Sequence, residues 1–419
     1  MKIAVIGGGP AGAVCASLLG QDGAQVLLFD HRGAWEKPCG GGVTCKALER
    51  FPFLQASQAC RQAVRSLEVL SPQNARLRIQ LDNPLLIFSR IALNRLLLER
   101  AVAAGALLQT ERVLRLDRQG RGWKVLTDRG THEADFVVGA DGVNSVVRKQ
   151  LGRPFTADDL MMTVGYRIPK AGTDGITVKF YRSFPGYLWV FGRPDNLSVG
   201  ICGRLTLANT AHLKKCLNDF LCRYLGSYFP PEDLSRTSEC GGREQTKSQA
   251  SGPHTCPFYS ALIPSLRPSS LRNNLVAGEG WALVGDAAGF ADPITCEGIY
   301  YAMRSGQLLA NALKENQVKC YAEFCQHDFV EDFVKAAEWF DAFYTGRFLG
   351  SDFVGRMVQA AGHSQALRDI MNGFVSGTQD YRTLRSKLLR KGPRISLQIA
   401  ASLVTQSSNP ASDGGLISC

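Results

Sequence analysis

The 419-residue sequence predicts a mixed α/β fold with a parallel sheet, an antiparallel sheet and a mainly helical C-terminal part. The first observation is a βαβ opening, in which the apolar runs Lys2 to Ile6 and Gln25 to Asp30 flank a small-residue helix from Gly12 to Leu19. The second is strand-like patterning broken by turn residues between about 160 and 205, which predicts antiparallel strands. The third is helical periodicity from about residue 321.

Composition indicates a globular protein that can form one large or two ordinary cores, with 45% hydrophobic and 20% charged residues. The net charge of +11 suits an anionic membrane surface or a phosphorylated substrate. Nucleic acid is not an expected partner, because no long Lys/Arg block with interleaved aromatic residues occurs.

The 13 cysteines contain no CxxC pair, and the six histidines no HxxxH pair. We therefore expect neither a disulfide framework nor a metal site, and a reducing, cytoplasmic location. Because no uninterrupted apolar run of about 18 residues occurs, we expect no membrane span, and at most a peripheral contact with a membrane.

The remaining elements follow from periodicity and turn residues. We predict helices at 92–104, 208–226 and 298–313, strands within 111–139 and at 282–286, and a polar loop from Ser235 to Thr255. These elements suggest four parts: a discontinuous nucleotide-binding domain (1–155 and 276–315), an antiparallel-sheet substrate domain (156–275), a helical region (316–405) and a disordered tail (406–419).

The glycine pattern Gly7-x-Gly9-x-x-Gly12 lies between the first strand and its helix. The first glycine permits a tight turn, the second lets the backbone approach a pyrophosphate, and the third, beside Ala11, allows close packing of helix and strand. Asp30 ends the second strand, where its carboxylate can bind a ribose hydroxyl. A dinucleotide site in a Rossmann-like domain is the prediction, and a glycine-rich turn without a ligand is the alternative.

Three further motifs carry chemistry. Lys37-Pro38-Cys39-Gly40-Gly41-Gly42 joins a thiol to a glycine run that a ligand can approach closely. Asp141 and Asp286 each follow an apolar strand among small residues, where a carboxylate can bind a polyol. With the first glycine pattern, these two motifs resemble the flavoprotein monooxygenase-like FAD superfamily.

The resemblance narrows to the geranylgeranyl reductase family over residues 1 to about 315. Three elements in order are similar to that family's PCGGG, YxWxFP and DPxxGEGIxxAM motifs: Pro38 to Gly42, Tyr187 to Phe191 and Asp292 to Met303. The sequence departs from these motifs at two positions, where Cys296 replaces a glycine and Gly192 replaces a proline.

The resemblance implies an FAD-dependent oxidoreductase that reduces carbon–carbon double bonds of an isoprenoid or lipid-like substrate. It assigns Cys39 as the catalytic candidate and Tyr187, Trp189, Phe191 and Cys296 to the substrate. The implied FAD-binding residues are Gly7, Gly9, Ala11, Gly12, Asp30, Cys39, Gly40, Gly42, Arg90, Val113, Asp141, Asp286, Gly298 and Ile299. Among these, Val113 corresponds to a backbone contact with adenine.

Alternatives stay open at this point. Cys39 is either a proton donor or a packed thiol, Arg90 either a cofactor neighbour or a solvated cap, and the aromatic strand either a channel wall or core. The electron donor is NAD(P)H or a reduced carrier, including an electron-donor protein. An FAD monooxygenase acting on an aromatic or polyketide-like substrate is the second hypothesis, and a flavin module for electron transfer without a substrate of its own is the third.

Overall fold

The computed structural model describes residues 1–169, 175–225, 258–348 and 351–407. The predicted loop from Ser235 to Thr255 and residues 408–419 of the tail predicted at 406–419 lie outside these residues, whereas residues 406 and 407 end the last helix. The predicted α/β fold class is confirmed, since two large sheets and a helical C-terminal part are present.

The strands, in chain order, are β1 (Lys2–Ile6), β2 (Gln25–Phe29), β3 (Gly42–Val43), β4 (Arg61–Leu70), β5 (Arg76–Phe88), β6 (Leu107–Gln109), β7 (Val113–Gln119), β8 (Gly122–Thr127), β9 (Thr131–Ala134), β10 (Phe136–Gly139), β11 (Leu160–Pro169), β12 (Gly175–Phe180), β13 (Gly186–Gly192), β14 (Asn196–Arg204), β15 (Phe258–Pro264), β16 (Ala277–Gly278), β17 (Trp281–Leu283), β18 (Arg347–Phe348) and β19 (Ser351–Asp352). The short antiparallel sheet β7-β8-β9 and the pair β18-β19 stand apart from the two large sheets.

The α-helices in the described chain span Pro10–Gln21, Cys45–Arg50, Phe53–Ala56, Arg90–Ala103, Val146–Leu151, Thr210–Leu225, Pro268–Arg272, Ile299–Lys314, Tyr321–Cys325, Glu331–Tyr344, Phe353–His363, Gln365–Ser376 and Tyr381–Ser407. Short 3-10 turns cover Ala157–Asp159, Gly285–Ala288 and Val318–Cys320, and a π-helical turn covers Gln326–Val330. None of the helices in these described residues is both long and apolar enough to cross a membrane.

The first sheet has the order β16-β17-β10-β1-β2-β6, and all its pairings are parallel except β16 with β17. Strand β1 lies between β2, which follows it in the chain, and β10, which comes much later. The strand order therefore reverses beside β1, and ligands of such sheets bind at the carboxyl ends of the strands next to this point.

The second sheet has the order β15-β11-β14-β13-β12-β4-β5-β3, antiparallel except where β12 meets β4. Strands β4 and β5 extend this sheet, although their residues were predicted to belong to the nucleotide-binding domain (1–155 and 276–315). Leu77, Ile79 and Leu81 are buried and alternate with exposed neighbours, which is the strand pattern that marks β5. The division of the chain into domains stays a prediction, and any boundary has to accommodate these two strands.

Helices cover the second sheet on both faces. Leu213, Leu217 and Leu221 of the helix Thr210–Leu225 pack against one face, in a cluster with Val164 and Val199. On the other face, helices of the C-terminal region join clusters with the strands β4, β5 and β13. Because both faces are buried, the inner strands are apolar on both sides, and side chains of β13 lie between the sheet and the C-terminal helices.

Helix ends follow local capping. The helix Arg90–Ala103 begins two residues before the predicted start at residue 92, because the Ser89 hydroxyl accepts a hydrogen bond from the Ala92 amide. The predicted strand 282–286 ends at Leu283, where the chain turns into a 3-10 helix with Gly285 at a φ of 58°. The helix predicted at 298–313 spans Ile299–Lys314, with Gly298 as its N-cap.

Candidate active site

Three of the predicted motifs meet at the carboxyl ends of neighbouring parallel strands. Gly7 follows β1, Asp141 follows β10, and Asp286 lies just beyond β17. A Cβ atom on Gly7 would lie 2.3 Å from the Ala140 carbonyl oxygen, and one on Gly285 would lie 2.8 Å from the Ala11 Cβ. The strand-order reversal therefore brings the three motifs into one crevice.

The glycine pattern forms a backbone cradle at the start of the helix Pro10–Gln21. Gly9 is its N-cap, and apart from its chain neighbours no atom of the described residues lies within 4 Å of where a Gly9 Cβ would stand. Gly12 must be glycine, because a Cβ there would lie 1.9 Å from the Gly7 carbonyl oxygen. The amides and the positive end of the helix dipole can hold a pyrophosphate in the open space beside Gly9.

Asp30 is fixed at the end of β2 by backbone donors. Its Oδ2 accepts a hydrogen bond from the Gly8 amide at 2.7 Å, and its Oδ1 accepts from the Arg32 and Gly33 amides, each at 2.9 Å. A carboxylate has further acceptor sites, so a ribose hydroxyl can still bind. The next residue, His31, contacts Arg112 at 3.1 Å, which brings Val113 close to this end of the cradle.

The two aspartates of the polyol motifs have different environments. Asp141 Oδ2 accepts a hydrogen bond from the Val146 amide at 2.6 Å, at the start of a short helix. Its Oδ1 is buried and has no hydrogen-bond partner among the described residues, and burial raises the pKa of this carboxyl. An unpartnered buried acceptor fits a ligand hydroxyl. Asp286 pairs with Lys37 at 2.6 Å, and a Cβ on Gly298 would lie 3.4 Å from its Oδ1.

Cys39 lies half-buried beside two cations. Its Sγ accepts hydrogen bonds from the Gly41 amide at 3.1 Å and from Nη1 of Arg90 at 3.2 Å. Burial alone raises the pKa of the thiol, but the charges of Arg90, Arg193 and Lys37 outweigh it, so the pKa of Cys39 is lowered. Arg90 is only 2% exposed, which excludes the solvated-cap alternative.

Arg193 holds the glycine loop from the second sheet. Its guanidinium is 1% exposed and donates hydrogen bonds to the Glu36 carboxylate and to the carbonyl oxygens of Cys39 and Gly40. The Ser198 hydroxyl donates to the same Cys39 carbonyl at 2.8 Å. The sequence analysis missed Arg193, Ser198 and Glu36, although a charged residue directly after an aromatic strand could have drawn attention to Arg193.

Glu36 connects Arg193, which holds the glycine loop, to Arg90. Besides Arg193, its carboxylate accepts hydrogen bonds from the backbone amides of Arg90 at 3.3 Å and Ile91 at 3.2 Å. These amides lie at the start of the helix Arg90–Ala103, where a carboxylate is favoured. One partly buried acid thus orients both the helix that carries Arg90 and the arginine that holds Cys39.

The aromatic side chains of β13 contact the loops that carry two of the family-like motifs, Pro38 to Gly42 and Asp292 to Met303. The Phe191 ring lies against Gly40 so closely that a Cβ there would be 2.0 Å from the ring. At the other end, the Tyr187 hydroxyl donates to the Thr295 carbonyl. Trp189 lies between them, with its Nε1 buried and without a hydrogen-bond partner in the described chain. The three rings join Cys296 in one apolar cluster, as their shared face predicts.

Cys296 stands at a backbone position that favours glycine. Its φ is 57°, in the left-handed region, so the departure from the family motif introduces strain. A hydrogen bond with Cys202, together with burial, raises the pKa of its thiol. The turn itself is fixed by Asp292, whose Oδ1 accepts hydrogen bonds from the Ile294 and Thr295 amides, each at 2.8 Å.

Comparison with known proteins decides the family. A model described as an FAD binding domain matches residues 1–168. Geranylgeranyl diphosphate reductase of Rhodobacter capsulatus is 30% identical over 324 residues, covering 74% of this chain and 73% of that protein. The chain belongs to the geranylgeranyl reductase family. The chloroplastic geranylgeranyl diphosphate reductase of Nicotiana tabacum is 26% identical over 75% of this chain, which spans 66% of that protein.

The fold of this reductase family member also matches a solved structure. A geranylgeranyl bacteriochlorophyll reductase-like protein from Thermoplasma acidophilum superposes with a TM-score of 0.69 over 96% of this chain and 98% of that one. The identity is 20%, so this likeness supports the fold alone. The family and the FAD binding domain identify this protein as an FAD-dependent oxidoreductase.

The geometry of this cradle fits FAD. The open space beside Gly9, the free acceptor of Asp141 and the helix that begins after Gly298 line one crevice. Glu297, just before that helix, accepts a hydrogen bond from the Tyr300 amide at 2.8 Å, and burial raises its pKa to about 7. The raised pKa favours the neutral form of this carboxyl beside the N-terminus of the helix.

Proposed function

We propose that this reductase saturates carbon–carbon double bonds in an isoprenoid or lipid-like substrate. The observation that carries the proposal is the contact of β13 with both reductase motifs: Phe191 packs on Gly40, and Tyr187 bonds Thr295. An apolar aromatic wall beside a thiol and a flavin cradle suits an alkene chain, which offers no polar group for recognition. The relatives named geranylgeranyl diphosphate reductase support this substrate class.

The FAD contacts proposed for this chain follow the predicted residues. Gly7, Gly9, Ala11 and Gly12 would cradle the pyrophosphate, and Asp30 would bind the adenosine ribose. At the other end, Asp141 and Asp286 would bind the ribityl chain. The amides of Gly298 and Ile299, at a helix N-terminus, would face the isoalloxazine ring and favour negative charge there. The remaining proposed contacts are Cys39, Gly40, Gly42, Arg90 and Val113.

Reduced FAD supplies the hydride for such a reaction. The second hydrogen arrives as a proton, and Cys39 is the proposed donor. When Sγ gives up its proton, the resulting thiolate remains beside the Arg90 guanidinium at 3.2 Å, which stabilises the charge. A lowered pKa makes the thiol a better acid near neutral pH. Arg193 and Glu36 hold the loop, so that Sγ keeps its position during the transfer.

The test measures alkene reduction by the FAD-loaded protein without oxygen. After chemical reduction of the flavin, geranylgeranyl diphosphate should reoxidise it and gain two hydrogen atoms per bond, as mass spectrometry would show. The fully saturated chain with the same headgroup is the control and should leave the flavin reduced. Headgroup preference follows from repeating the assay with a geranylgeranylated chlorophyll and a geranylgeranylated phospholipid.

The same assay separates the alternatives. A monooxygenase would keep its flavin reduced until oxygen enters, and would then hydroxylate an aromatic compound. An electron-transfer module would pass electrons to a quinone or a protein while leaving every alkene unchanged. Stopped-flow reduction with NADH, NADPH and a reduced ferredoxin would identify the electron donor.

A further inference from the structure

The helix Tyr381–Ser407 is hydrogen-bonded to the rest of the protein at its first residues and again at Gln398. Asp332 Oδ1 accepts hydrogen bonds from the Tyr381 amide at 2.6 Å and the Arg382 amide at 3.0 Å. Farther along, Gln398 Oε1 accepts a hydrogen bond from the Ser364 hydroxyl at 2.8 Å. The helix is therefore held against the C-terminal helical layer at both of these points, on either side of Pro393 in its interior.

The inward and outward faces differ in composition. Buried or partly buried residues recur every three or four positions, the spacing of one helix face: Tyr381, Leu384, Leu388, Lys391 and Ile395. The outward face carries Leu389 and Leu397, which are 70% and 71% exposed. Within the described residues they are the two most exposed large hydrophobic side chains. Their position two turns apart places both on the solvent side.

Charge on this helix has one sign only. Residues 381–407 contain Arg382, Arg385, Lys387, Arg390, Lys391 and Arg394, and no aspartate or glutamate. A solvated helix face usually mixes both signs at a spacing of three or four residues. After Arg394 no charged residue follows up to Ser407, and the sequence there is rich in Ile, Leu, Ala and Val. A cationic half thus leads into an apolar half.

A recess beside the cationic half adds room for an anion. It has a volume of about 370 Å³ and is lined by residues that include Lys387, Arg390 and Lys391. The carboxylate in its lining, Asp369, already accepts a hydrogen bond from Gln365 at 2.8 Å. The recess therefore has a net positive charge where the helix meets the protein.

We propose that the helix Tyr381–Ser407 docks the protein on an anionic lipid surface. Arg390 and Arg394 would contact headgroup phosphates, while Leu389 and Leu397 would enter the boundary of the acyl chains. A plane of phosphates over an apolar layer matches this face, because it combines two exposed leucines with cations of one sign. This inference goes beyond the proposed reaction and does not depend on it.

The test is cosedimentation of the full-length, FAD-loaded protein with vesicles. The protein should bind vesicles of phosphatidylglycerol and phosphatidylcholine, bind pure phosphatidylcholine weakly, and lose binding as salt rises. The double variant Arg390→Glu/Arg394→Glu should bind the anionic vesicles about tenfold more weakly or worse. Leu389→Ser/Leu397→Ser should lose the part of the binding that survives high salt.

The matched control reverses two exposed arginines outside this helix, Arg65→Glu/Arg95→Glu, with the same change in net charge. This variant should bind as the wild type does, and unchanged flavin content would show that every variant is folded. Equal losses in both charge-reversal pairs would reduce the effect to net charge and overturn the proposal. It is also overturned if the leucine variant changes only self-association or the capture of an acidic protein.

Discussion

The guanidinium of Arg90 donates a hydrogen bond to Sγ of Cys39 at 3.2 Å, inside a site where the arginine is almost completely buried. A buried cation beside a thiol favours the thiolate, and the burial of Cys39 opposes it. The balance lowers the pKa of the thiol.

Arg90→Met should therefore raise the pKa of Cys39, because burial remains and the nearest cation is gone. At neutral pH the thiolate fraction falls, so alkylation of Cys39 by iodoacetamide should slow several-fold. Peptide-resolved mass spectrometry across a pH series measures this, and the exposed Cys60 is the internal control. Identical pH profiles for Cys39 in both proteins would contradict the role of Arg90.

Cys39→Ser should lower turnover while FAD stays bound, because a serine hydroxyl is a far weaker acid. In the wild type, alkene reduction should fall as the pH rises through the pKa of Cys39, since the protonated donor disappears. That falling limb should vanish in the variant. Wild-type turnover with an unchanged profile would make Cys39 a packing residue.

Asp30→Ala should weaken FAD binding by about tenfold or more, because a carboxylate that accepts hydrogen bonds contributes about 1.5–3 kcal/mol per interaction. The variant also loses the bonds to the Gly8, Arg32 and Gly33 amides. Flavin content after dialysis is the measurement, and Asp82→Ala, at an exposed position, is the control. Full flavin retention would refute the adenosine-ribose role.

Gly40→Ala should destabilise the loop by about 1–3 kcal/mol, because the new Cβ would lie 2.0 Å from the Phe191 ring. Thermal unfolding measures the effect, and Gly130→Ala should be neutral, because a Cβ there would have no atom of the described residues within 4 Å apart from its chain neighbours. Adding Phe191→Leu to Gly40→Ala should restore part of the lost stability. If the double variant unfolds no later than Gly40→Ala, the two residues are not in contact.

Cys296→Gly should be tolerated, because the φ of 57° costs a non-glycine residue about 1–3 kcal/mol. The relief offsets the loss of the sulfur contacts, so the melting temperature should stay the same or rise. Cys202→Gly, at a fully buried position in β14, should destabilise the protein in the same assay. Loss of activity in Cys296→Gly with the fold intact would make this thiol part of the chemistry.

Local motifs were the predictable part of this molecule. The glycine pattern, the strand ends before Asp141 and Asp286, and the helix after Gly298 depend on neighbours within a few residues, so the sequence order carries them. The shared face of Tyr187, Trp189 and Phe191 followed from the two-residue period of a strand.

Long-range partners could not be predicted from spacing. Arg193 and Glu36 are 157 positions apart, and only the pairing of β13 with its neighbours brings the arginine to the glycine loop. One carboxylate oxygen of Asp141 accepts a hydrogen bond at the start of the helix Val146–Leu151, and this contact depends on the geometry of the turn. The place of β4 and β5 follows from which sheet has an available edge, which a strand pattern does not encode.

The hydrogen bond from Arg193 to the Cys39 carbonyl oxygen connects the second sheet to the glycine loop beside the first sheet. A substrate that contacts β13 would therefore act on the same backbone that approaches the crevice of the first sheet. We expect occupancy of one side to change the affinity of the other, and thermodynamic reciprocity then requires the same factor in both directions. We expect the affinity of the protein for FAD to report how well an alkene fits, even when no bond is reduced.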